Sequence, residues 1–236
     1  MPKAPTSRKA KAARVDPTKS KAKEDPRASH LYTDDNPATT IHGTGFKDKV
    51  TAEHTLKLIS RRSLIYQFQT INTMYNRAKH HPAMKKAAEG SASTADMRAA
   101  MEVFKEWLDV TYPAKREALR AGGFKPLLSK KVAERYLQRV EASKEVSNDA
   151  KQFAKMYASL GKGKRLGNVL VDDSKPAEPD WERRRYEVLN ELVPEGKESE
   201  KEWKMSELWT DDREVTEGHL ELIAWAWSPV AEKKLP

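Results

Sequence analysis

Residues 129–160 read SKKVAERYLQRVEASKEVSNDAKQFAKMYASL, and the fold turns on how this stretch is read. Val132, Tyr136 and Val140 recur every four residues with Ala133 and Leu137 beside them, which lines one face of an α-helix and not one face of a strand. Ser129 stands just before this run, where a side-chain oxygen takes a free N–H of the first turn. After a short polar break Ser147 introduces a second run, Ala150, Phe153, Ala154, Tyr157 and Leu160, and Gly161 follows in the place of a C-cap glycine. Two amphipathic helices joined by a short loop are expected.

The same grammar continues towards the N-terminus. Thr94 or Ser93 is placed to cap a helix with Met97, Met101, Phe104 and Leu108 on one stripe, and Tyr112-Pro113 is expected to stop it. Pro113 then starts a short helix through Ala121, closed by Gly122-Gly123. In SLIYQFQTINTMYNRAKHHP (63–82), Ser63 is a cap and Ile65, Phe68, Ile71 or Asn72, Tyr75 and Ala78 keep helical spacing. Tyr66–Ile71 also alternates as a strand would, but the length of the pattern and its Met, Arg and Ala content favour a helix. Val50, Leu56 and Ile59 are core candidates of an earlier helix, with Thr51 as cap or interior residue, and Arg61-Arg62-Ser63 separates it from the next. Ile41 and Phe46 are expected to anchor the turn-rich loop before it. The fold expected is mainly α: a helical array with one core.

Residues 1–30 combine Lys, Ala, Pro and Ser with almost no large apolar groups, so a disordered basic tail is expected. The basic helical core is set at 31–165 and a linker at 166–180, where Pro, Gly and acidic residues gather. Residues 181–236 form an acidic segment opened by Asp180 as a helix cap, with Trp181, Val188, Leu189 and Leu192 as apolar positions. Five of the six tryptophans lie past the linker, a composition unlike that of a free acidic tail. This segment is expected to pack on the core.

Charge divides the chain the same way. Residues 1–30 hold 9 basic and 3 acidic side chains, residues 31–170 hold 25 and 14, and residues 171–236 hold 10 and 18. A basic body with an acidic C-terminal third points to an anionic partner for the first and a basic contact for the second. The chain has no cysteine, which excludes disulfides and thiol chemistry. No apolar run approaches a membrane span and no secretory signal core opens the sequence, so an intracellular protein without membrane contact is expected.

Catalytic signatures are absent: HExxH, GxSxG, HxE with PCxxC, and the Walker and Rossmann spacings do not occur. No metal or cofactor is expected. His80 and His81 precede Pro82 at a helix end, where they complement free carbonyls. Adjacent helical histidines point about 100° apart and do not converge on one ion. A pocket around His42, His80 and His81 is the enzyme alternative. The glycines of TIHGTGFKD (40–48) suit a small phosphate loop or, preferentially, a turn that anchors the chain.

The basic residues give the principal expectation, a non-enzymatic nucleic-acid-associated protein that contacts backbone phosphates of DNA or RNA. Lys131, Arg135 and Arg139 share a helix face, Lys162, Lys164 and Arg165 sit between glycines, and Arg61, Arg62, Arg77 and Lys79 complete the set. The Lys/Arg clusters of the tail suggest a nuclear location, with the cytoplasm as alternative. The acidic third is expected to compete with nucleic acid for the basic surface. An adaptor that uses Trp225 and Trp227 as anchors for a protein partner is the runner-up.

Overall fold

Asp48 begins the first helix by accepting both the N–H and the hydroxyl of Thr51, each at 2.8 Å, and these bonds hold its carboxyl below the usual range. The computed structural model describes residues 41–86, 92–119, 124 and 127–236; the basic tail 1–30 lies outside them. Helix α1 spans Lys49–Leu58 and turns Ala52 and Thr55 inward, while Val50, expected in the core, is 74% exposed. Two positions before Ala52, Val50 lies about 200° around the helix axis from it and so on the opposite side. Ser63 caps α2 (Leu64–Lys79) by accepting the N–H of Tyr66, and the helix runs unbroken through the Tyr66–Ile71 alternation. Its buried polar residue, Gln67, donates to the carbonyls of Ser60 and Arg62 and so closes the break between the two helices.

A short α3 (Pro82–Lys86) follows, then α4 (Ala92–Glu106). This helix begins before Thr94, which is buried in its first turn rather than capping it. Tyr112-Pro113 does not stop α4. The chain widens into a π turn, Trp107–Thr111, in which the N–H of Tyr112 reaches the Trp107 carbonyl, and continues as α5 (Tyr112–Ala118). Proline lacks an N–H and its ring crowds the carbonyl four residues back; the wider turn accommodates both. Gly122 and Gly123, expected to close this helix, lie outside the described residues.

The two helices expected from the serine caps are present as α6 (Lys130–Ala142) and α7 (Asn148–Ser159). Ser129 and Ser147 accept the N–H of Val132 and Ala150. The chain leaves α7 extended at Leu160, and the left-handed residue is Gly163, at φ +84°, not Gly161. Asp180 caps α8 (Trp181–Leu192), and α9 (Met205–Leu208) and α10 (Glu217–Ala224) complete the array. Among the described residues there are isolated bridges but no strands, and no helix is long and apolar enough to cross a membrane.

Buried apolar side chains form two clusters within the compact unit Ala38–Pro236. The first joins α1, α2 and α4 around Ile59, Ile71, Phe104 and Trp107. The second runs from Phe124 to Leu235 and interleaves the basic body with the acidic third: Phe153 of α7 lies 5.0 Å from Trp225 and 5.8 Å from Trp181, ring centre to ring centre. The clusters therefore part between Tyr112 and Phe124, while residues 166–180, read from sequence as a linker, contribute Leu166, Leu170 and Asp180 to the interior. Trp225 and Trp227 are 0% and 2% exposed. At about 25 cal/mol per Å² over the roughly 200 Å² such a ring buries, each contributes on the order of 5 kcal/mol before the entropy of ordering.

Arg185 locks this second cluster. Its guanidinium is buried and donates to the carbonyls of Trp225 at 2.7 Å, Phe124 at 3.1 Å and Ala226 at 3.3 Å. These include carbonyls at the C-terminal end of α10, which carry partial negative charge. Burial brings the Arg185 pKa down to about 10, so it remains a cation at neutral pH.

Candidate nucleic-acid interface

The ten basic residues singled out from sequence fall into different environments. Arg62 is 2% exposed: its Nε donates to Asp180 Oδ2 at 3.0 Å, one Nη to the Gly167 carbonyl and the other to the Pro176 carbonyl, both at 2.9 Å. With its face stacked 3.7 Å above the Tyr66 ring, it holds α2 to the start of α8 and is not available to a phosphate. Arg61, its neighbour, is exposed and meets Glu178 at 2.5 Å. Lys79 is exposed at the end of α2, and Arg77 is half-buried there.

On α6 the expected phosphate track is largely covered. Arg139 donates to Glu214 Oε2 at 2.8 Å and to the Val215 carbonyl at 2.5 Å, and Arg135 donates to the carbonyls of Leu235 and Pro236. Lys131 is exposed with neither an ion pair nor a side-chain hydrogen bond among the described residues; Arg135 is exposed as well, but its guanidinium is taken by those two carbonyls. Spacings of four did put these charges on one side of the helix, but that side faces the acidic third.

The loop after α7 is different. Lys162, Lys164 and Arg165 are all exposed, none has an ion pair among the described residues, and the positive φ of Gly163 turns the chain between them. A Cβ at Gly163 would meet nothing within 4 Å, and residues 161–165 are all exposed. Three cations on one open turn can follow a row of phosphates without displacing any internal contact.

Three carboxylates share a task that was not expected from sequence. The N–H of Ser63, cap of α2, donates to Asp180 at 2.9 Å; that of Ser129, cap of α6, to Glu232 at 2.9 Å; that of Ser147, cap of α7, to Glu221 at 2.9 Å. The Ser129 and Ser147 hydroxyls donate to the same glutamates, and these bonds hold the Glu232 carboxyl below its usual range. Each carboxylate does what a Glu at the third helical position does in a capping box, but arrives from 74 to 117 residues away. Negative charge at these helix starts also opposes the positive end of the helix dipole. No signal within a local window links such partners.

Trp225 and Trp227 lie inside the chain's own core, so they are not anchors for another protein; the apolar environment they need is supplied in cis by Phe153, Trp181 and Phe124. His42 and His80 are exposed and His81 is half-buried against Phe46, its Nδ1 accepting the N–H of Ala83. His81 lines a shallow depression of about 350 Å³ to which neither His42 nor His80 contributes. No group of three potential metal ligands occurs among the described residues. The glycine loop is engaged internally: Gly45 donates to Thr55 Oγ1 at 2.9 Å and Thr55 returns a bond to the Gly45 carbonyl.

No protein-family model, curated protein or solved structure matches this chain.

Proposed function

We propose that this protein is a non-enzymatic nucleic-acid-associated protein that binds backbone phosphates, with Lys162, Lys164 and Arg165 as its centre. The observation that supports this most is the contrast between engaged and open cations: Arg62, Arg135 and Arg139 are tied into the fold, and the 162–165 loop is left with three exposed charges and no acidic partner among the described residues. Lys131 and Lys79, exposed and without an ion pair among the described residues, supply further positive charge on the surface. Contacts of this kind carry affinity and little base preference. A nuclear location belongs to the same proposal.

Fluorescence anisotropy with labelled duplex DNA and single-stranded RNA across a salt series tests it. Binding tighter than ~10⁻⁴ M at physiological salt, weakening steeply as salt rises, is the expected result and shows which polymer is preferred. Binding no tighter than that on either polymer would contradict it.

A further inference from the structure

A cleft of about 700 Å³ opens between α2, α5 and α8, where the two buried clusters adjoin. Leu64 and Ile65 of α2, Tyr112 and Leu119 at the two ends of α5, and Tyr186 of α8 line it, and all five are only half-buried. Apolar side chains from three helices that converge without covering one another leave a surface that gains from an occupant. Its volume falls in the ~300–1,000 Å³ range of small-molecule sites.

The charges around the cleft decide what kind of occupant fits. Arg183 is held by Glu187 at 2.6 Å, and Glu182 receives the Tyr186 hydroxyl at 3.5 Å. Burial pushes the Tyr186 phenol up to about 12, so the hydroxyl keeps the one proton that it gives to Glu182. Arg116 lines the same cleft from α5, exposed, with no ion pair or hydrogen bond among the described residues. The lining thus combines an apolar wall with a carboxylate, Glu182, engaged by Tyr186 on the α8 side, and a cation, Arg116, on the α5 side that has no partner among the described residues.

We propose that this cleft binds a small amphipathic monoanion, an aliphatic or aromatic body carrying one carboxylate or sulfonate, with the body against Ile65, Leu119 and Tyr112 and the head on Arg116. The guanidinium fork suits a two-oxygen anion, and the loss of apolar surface from water supplies the remaining affinity. This site is separate from the 162–165 loop and does not depend on nucleic-acid binding.

Titration of the full chain with 1-anilinonaphthalene-8-sulfonate, followed by displacement with dodecanoate, tests the proposal. The expected result is one saturable site, displaced by dodecanoate, weakened about tenfold in Arg116→Ala, lost in Leu119→Trp, which fills the cleft, and unchanged in Lys162→Ala. Arg116 is exposed, so its replacement leaves the fold intact and decides the matter even where Leu119→Trp fails to fold. Unsaturable binding, equal loss in Lys162→Ala, indifference to Arg116→Ala, or capture of an acidic aromatic peptide in place of dodecanoate would each overturn it.

Discussion

Arg61 and Arg62 carry the same charge on adjacent positions, and the fold uses them in opposite ways. Arg62 is enclosed with Asp180, whose second oxygen caps α8 through the Arg183 N–H at 2.9 Å. Removing one member of such a pair leaves an uncompensated charge in the interior, so Arg62→Met is expected to cost roughly 3–5 kcal/mol, whereas Arg61→Met costs less than about 1 kcal/mol. Urea unfolding of the two variants measures the contrast, and equal values would mean that the Arg62 pair is not buried as described. A second residue-scale prediction concerns His219 of α10. Its Nδ1 lies 3.0 Å from the Leu208 carbonyl, to which it donates, and its Nε2 lies 2.8 Å from the Ser228 Oγ, from which it accepts when the ring is neutral. Burial lowers its pKa from the ordinary 6.5. The unfolded chain therefore binds the proton more readily, and the stabilisation from His219, complete above about pH 6.5, declines as pH falls below it. Unfolding free energy measured from pH 7.5 to 5 should drop for the native chain and stay flatter in this interval for His219→Gln.

Helix starts carry the account at the next scale. The positions of Ser63, Ser129, Ser147 and Asp180 before apolar runs made α2, α6, α7 and α8 legible in the sequence, because capping and spacing are local. The carboxylates that complete the first three caps were not legible, since their partners meet only after the chain has folded. Glu221 shows the consequence: it binds the Ser147 cap and accepts the Trp225 indole N–H at 3.3 Å, so one side chain ties the start of α7 to the core of the acidic third. Glu221→Gln and Ser147→Ala should each cost about 1 kcal/mol, and the double variant should cost less than their sum. Strict additivity in that cycle would show that the two act independently. The passage through Pro113 escaped the sequence for a different reason: the rule that proline ends a helix presumes regular α geometry, and the π turn at Trp107–Thr111 departs from it.

Taken as one molecule, the protein uses much of its acidic third as a structural partner of its basic body. Asp180, Glu214, Glu221 and Glu232 reach Arg62, Arg139 and the caps of α2, α6 and α7, and the tryptophans beside them fill the shared interior. The charge asymmetry was legible in the sequence; which cations it neutralises was not, because Arg135 and Arg139 share periodicity with Lys131 yet only they face the acidic segment. Any competition between this third and nucleic acid would act at the Arg61–Glu178 and Arg139–Glu214 pairs, and removal of residues 171–236 would take away more than half of the second cluster along with them. The proposed contact with nucleic acid rests on the open 162–165 loop. The most direct measurement is the slope of log affinity against log salt on duplex DNA for the full chain and for the variant Lys162→Ala/Lys164→Ala/Arg165→Ala. At about 0.9 per phosphate contact, the account predicts that the slope shrinks in magnitude by roughly 2 to 3 while stability is unchanged; an unaltered slope would contradict it.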